Sequence, residues 1–84
     1  MESVHSGEYK ALLVLLRRLR EERQLTQVEV AARLGQPQSF VSKIELGERR
    51  IDLADLRLLT QALGVNLVDV VAEWESSLRP RRRR

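Results

Sequence analysis

The most constraining stretch of this 84-residue chain is residues 25–49, LTQVEVAARLGQPQSFVSKIELGER, where a glycine separates two short helical patterns. The first opens with Thr26-Gln27-Val28-Glu29. This spacing forms a capping box: the Thr26 hydroxyl accepts from the Glu29 amide while the Glu29 carboxylate accepts from the Thr26 amide. Val30, Ala31 and Leu34 form its inner side, and Gly35 suits the left-handed position that stops a helix. The second pattern begins around Pro37, whose missing N–H leaves nothing unpaired in a first turn, and ends before Gly47. On a helical wheel Val41 and Ile44 point inward, Gln38, Ser39, Ser42 and Lys43 gather opposite, and Phe40 lies on a flank. Ala31 is small where two helices cross, Gly35 allows the tight turn, and Val41 with Ile44 locks the second helix onto the first. These are the physical requirements of a helix-turn-helix.

The rest of the chain carries the same kind of signal. A first helix is expected from about Glu8 to Arg23, with Leu12, Leu16 and Leu19 on one face. Asp52 caps a fourth that carries Leu53, Leu56, Leu59 and Leu63 and closes at Gly64; Asn66 caps a fifth that runs to about Ser77, before Pro80. No alternation of strand type persists, so the fold class is all-α. Short connections require five helices packed around one core. The expected organisation is a flexible N-terminus (1–7), a domain (8–78) with its helix-turn-helix core at 27–46, and an Arg-rich tail (79–84).

Charge needs dissection. The formal total is +3, from 15 Lys and Arg against 12 Asp and Glu, but the last six residues hold five arginines and no acid. Without them the body has 10 basic and 12 acidic residues, a net of −2, so any basic face must come from local placement. The chain has no cysteine, which removes disulfides and thiolate metal sites, and its single histidine, His5, falls in the polar N-terminus. We expect no metal, no cofactor, no small-molecule ligand and no membrane span. Nor does it read as an enzyme: there is no phosphate-cradling glycine loop, and Asp52 and Asp55 are explained as a cap and a first-turn acid.

Residues 16–64, above all LRRLREERQLTQVEVAARLGQPQSFVSKIELGERR, resemble the phage-repressor/Cro (XRE-type) helix-turn-helix family. The resemblance implies a five-helix, lambda-repressor-like domain that binds double-stranded operator DNA as a two-fold dimer in a bacterial or phage-encoded, cytoplasmic, nucleoid-associated setting. By position, Gln27 resembles the residue that touches a phosphate and buttresses the recognition helix. Gln38 resembles the base-reading residue at that helix's start, and Ser39 and Lys43 match further groove-facing positions, with Ser42 beside them. Such side chains suit base edges: Gln pairs with adenine N6 and N7, Lys with guanine O6 and N7. Arg20 and Glu45 match positions for an ion pair linking the first helix to the end of the third. Arg49 and Arg50, in the loop after the recognition helix, are expected to meet phosphates, and Arg33 is an optional third contact. Pro37 departs from the Ser or Thr often found at that site, so the helix start is open to a one-residue shift. Phe40 either touches a thymine methyl or sugar or covers the core edge beside the fourth helix; packing is favoured.

In the fifth helix Leu67, Val70, Val71, Trp74 and Leu78 form one apolar stripe, and Val68 and Ala72 extend it to a second side. One domain face absorbs one stripe. A homodimer through Val68, Val71, Trp74 and Leu78 is therefore expected, with the wide arc Leu13-Val14-Leu15 of the first helix assisting; the competing reading has Trp74 closing the monomer's own core. The tail is either a solvated chain with non-specific electrostatic attraction to DNA or a phosphate clamp. Function then reads as a sequence-specific transcriptional regulator, with repression the favoured mode. The alternative is a protein-interaction module on the same scaffold, such as an antitoxin neutralising a partner protein.

Overall fold

Capping chemistry and apolar periodicity together decide where each helix starts and stops. The computed structural model describes residues 6–79, which form five helices and no strand: α1 (Ser6–Glu22), α2 (Gln27–Leu34), α3 (Gln38–Glu45), α4 (Leu53–Leu63) and α5 (Leu67–Leu78). His5 and the tail from residue 80 onward lie outside the described residues. Thr26 and Asp52 each close a full capping box, with Glu29 and Asp55, and Asn66 accepts from the Asp69 amide. Gly35 stops α2 at φ +68°, where its amide and that of Gln36 return to the Ala32 and Ala31 carbonyls. A left-handed backbone there turns the chain within three residues, which brings α3 across α2.

The core is built from Leu12, Leu13, Leu15, Leu16 and Leu19 of α1, Val30 and Ala31 of α2, Val41 and Ile44 of α3, Leu56, Leu59, Ala62 and Leu63 of α4, and Val70 of α5. α2 packs mainly on α3 and α4, while α1 bridges α3 and α5. Burying Val41 and Ile44 contributes about 1.5–3 kcal/mol each and fixes which side of α3 faces out. Gly47, at φ +80°, ends the turn after α3 under α1: a Cβ there would lie 3.5 Å from Leu13 Cδ1.

Packing corrects one expectation and decides two further points. The wide arc of α1 is not surplus, because Leu13 and Leu15 are buried in the domain's own core and only Val14 is exposed, at 68%. Leu53 is 68% exposed, while Leu56, Leu59 and Leu63 of the same helix are buried. It is the first residue of α4, and helical side chains lean toward the N-terminus, so it projects past the end of the core. Pro37 lies outside α3 as its N-cap, and the helix starts at Gln38.

Candidate nucleic-acid interface

The outer side of α3 is held from behind by apolar contacts and from below by a polar network. Val41 and Ile44 are almost fully buried, while Gln38, Ser39 and Lys43 are exposed and Ser42 is half-buried. The structure thus brings the four polar residues onto one outward face. Pro37 makes no side-chain cap, so the first amides of α3 are left without a side-chain acceptor.

Beneath this face Arg20 and Glu45 form a two-pronged pair, Nε to Oε2 at 2.6 Å and Nη2 to Oε1 at 3.0 Å. Their side chains are only 11% and 9% exposed. The hydrogen bond to Glu45 raises the Arg20 pKa above its ordinary value against an opposing desolvation effect. Arg20 Nη1 also donates to the Leu25 carbonyl at 2.8 Å, which ties the turn before α2 to the same side chain. That turn uses Gln24 at φ +57°, a conformation few non-glycine residues adopt. Gln27 Nε2 donates to Glu45 Oε1 at 2.8 Å, and Gln38 Nε2 donates to Gln27 Oε1 at 2.6 Å. A continuous chain of hydrogen bonds therefore runs from α1 through α3 and α2 to the first residue of α3.

Arg49 and Arg50 are exposed, but each is held. The Arg49 guanidinium lies 4.7 Å from the Phe40 ring centroid, and that of Arg50 lies 4.4 Å from Tyr9. Phe40 is half-buried and, with Leu34, Ile44, Leu58 and Leu59, lines a small cleft beside α4, consistent with its packing role. Tyr9 was not singled out by any sequence pattern. Its hydroxyl accepts from the Ile51 amide at 3.1 Å, pinning the loop after α3 to α1. A lone tyrosine near the start of a helix gives no periodic signal for such a contact. Arg33 Nη1 donates to the Ala62 carbonyl at 2.7 Å, which ties α2 to the C-terminal end of α4.

On α5, Val68 is 73% exposed, whereas Val71 and Trp74 pack against the domain's own core and Leu78 is half-buried. Trp74 Nε1 donates to the Glu8 carbonyl at 2.9 Å, so the indole ties α5 to the start of α1. Further along α1, Arg18 pairs with Glu22 of its own helix and with Glu73 of α5. Among the described residues, no group of three or more His, Cys, Asp or Glu side chains is placed to hold a metal ion, and no helix is long and apolar enough to cross a membrane.

Five helices with a polar outward face on the third define a helix-turn-helix domain, and comparison with known proteins gives the same class. Residues 16–70 match the helix-turn-helix family model. The chain is 48% identical over 60 residues to an uncharacterized HTH-type transcriptional regulator, y4dJ, of Sinorhizobium fredii, a match covering 71% of this chain and 78% of the relative. An XRE-family like protein from Pseudomonas syringae pv. tomato superposes with a TM-score of 0.85 at 39% identity, over 90% of this chain and 93% of the other. The clp gene regulator ClgR of C. glutamicum follows with a TM-score of 0.75 at 26% identity, over 88% and 96%. The chain belongs to the XRE-type helix-turn-helix family of DNA-binding transcriptional regulators.

Proposed function

We propose that the protein is a repressor that binds a pseudo-palindromic operator as a homodimer, with α3 of each copy in the major groove. The observation that carries this is the outward polar face of α3, whose Gln38, Ser39 and Lys43 are exposed above the buried Val41 and Ile44. Gln38 retains its carbonyl oxygen and one N–H after bonding Gln27, the pair of groups that matches an adenine edge. Ser39, Ser42 and Lys43 read the neighbouring bases. Gln27 keeps a second N–H for a phosphate, and Arg49 and Arg50, stacked on their rings, meet phosphates with little further ordering. Dimerisation centres on α5, where Val68 and Ala72 are exposed beside the half-buried Val71, Trp74 and Leu78. It would set two recognition helices about 34 Å apart, one turn of DNA. Occupation of a promoter would exclude polymerase.

Gel shifts against the protein's own promoter region, with wild type, Gln38→Ala and Lys43→Ala, test the reading. Both variants are expected to lose discrimination; equal wild-type affinity for operator and scrambled DNA would end it. Mass measurement of the free protein tests the dimer.

A second reading, a protein-interaction module such as an antitoxin, has its own support. The groove between α1 and the end of α3 exposes Val14 and Leu46 under a rim of Lys10, Arg17 and Arg50. Co-purification of a stoichiometric partner from the native host is the result it requires.

A further inference from the structure

The hydrogen bonds that reach Gln38 have a direction, and a carboxylate sets it. Glu45 Oε1 accepts from both Arg20 Nη2 and Gln27 Nε2, and Oε2 accepts from Arg20 Nε. A carboxylate oxygen only accepts, so the Gln27 amide must turn its NH2 toward Glu45. Its carbonyl oxygen then faces the other way and accepts from Gln38 Nε2. Gln38 is thereby obliged to point its NH2 toward α2 and its Oε1 away from it. The Arg20–Glu45 pair is shielded from water, so solvent competes little for the Glu45 oxygens, and Arg20 is fixed independently by the Leu25 carbonyl.

We propose that Glu45 is a positioning residue that sets, through Gln27, the donor–acceptor order of Gln38, and so selects the strand on which adenine is preferred at the base pair Gln38 reads. The inference rests on the reading of Gln38 as a base reader. A glutamine amide presents a donor and an acceptor side by side, as the adenine edge does. A·T and T·A present their donors and acceptors in reversed order across the major groove. An unrestrained amide can turn over and serve either; the relay removes one of the two orientations. The Arg20–Glu45 pair therefore contributes to sequence choice without touching DNA.

Binding-site selection from randomised duplexes, run on wild type, Gln38→Ala, Gln27→Met and Glu45→Gln, tests this. Wild type is expected to prefer A·T over T·A at one base pair of each half-site. Gln27→Met leaves the Arg20–Glu45 pair in place but cuts the relay. It should lower that A·T to T·A ratio about tenfold, the scale of one bidentate base contact, while preferences at the other positions hold. A uniform affinity loss from the missing Gln27 phosphate contact leaves this ratio unmoved, so the ratio separates positioning from simple binding. Glu45→Gln, which can donate as well as accept, should shift the ratio the same way; if it does not fold, Gln27→Met decides. The proposal is overturned if Gln38→Ala abolishes the preference while Gln27→Met keeps the wild-type ratio. If Gln38→Ala itself changes nothing at any position, the base-reading role fails and this inference falls with it.

Discussion

α3 and α4 are neighbours in sequence and both short, yet they are stabilised in different ways. α4 closes its own N-terminus with the Asp52–Asp55 capping box and its C-terminus with Gly64, and it buries Leu56, Leu59, Thr60, Ala62 and Leu63 along one wide face. α3 has no side-chain cap and turns its polar residues outward. What holds it is the burial of Val41 and Ile44 and the charge network at Glu45. An isolated eight-residue helix is marginal in water, so α3 depends on its partners for its existence as well as its position. The difference separates a helix that builds the scaffold from one that the scaffold displays.

That contrast can be broken most severely at Glu45. Glu45→Ala should cost about 3–5 kcal/mol in urea unfolding, because it strands the Arg20 guanidinium against the protein. The double variant Arg20→Met/Glu45→Leu should recover much of that loss; a double as unstable as the single would show that the pair matters for more than its charges. Ile44→Ala follows, with an expected loss of about 2–5 kcal/mol from the lost burial and the cavity left under α3. A smaller effect sharpens the comparison from the other side. Asp52→Ala and Thr26→Ala should each cost about 1 kcal/mol through their lost caps, whereas Pro37→Ala has no side-chain cap to lose and should cost less than either. A larger loss at Pro37 would mean that Pro37 itself fastens the start of α3.

The smallest effect concerns pH. The Glu29 pKa is lowered first by the hydrogen bond from the Thr26 backbone, then by that involving the Thr26 side chain. A lowered folded-state pKa makes the contribution complete above the unfolded value of about 4.3 and removes it as pH falls through the folded value. A carboxyl NMR titration should place Glu29 below the ordinary glutamate range, and Thr26→Ala should bring it back toward that range.

Much of this was legible along the chain because it rests on local chemistry. The box at Thr26, the cap at Asp52, the stop at Gly35 and the inward pair Val41 and Ile44 depend on residues within four positions of one another. The outward side of α3 follows from the same spacing, since burial of one face leaves the other exposed. Contacts between distant residues gave weaker signals. Tyr9 beneath Arg50 and Ile51, Arg33 on the Ala62 carbonyl and Trp74 on the Glu8 carbonyl join positions 29 to 66 residues apart. No periodicity encodes such pairs.

Composition and spacing alone were enough to specify five helices, the caps at Thr26, Asp52 and Asn66, the stops at Gly35 and Gly64, and the side of α3 left to solvent, because hydrogen-bond capping and helical repeat act over a few residues. Assembly assigned the rest. It placed Leu13 and Leu15 in the core and left Val14 out, turned Leu53 to solvent, and lined up Arg20, Glu45, Gln27 and Gln38 in one hydrogen-bonded chain. Those outcomes depend on the angles at which helices cross and on which carbonyls come within reach, and these exist only once the elements have packed.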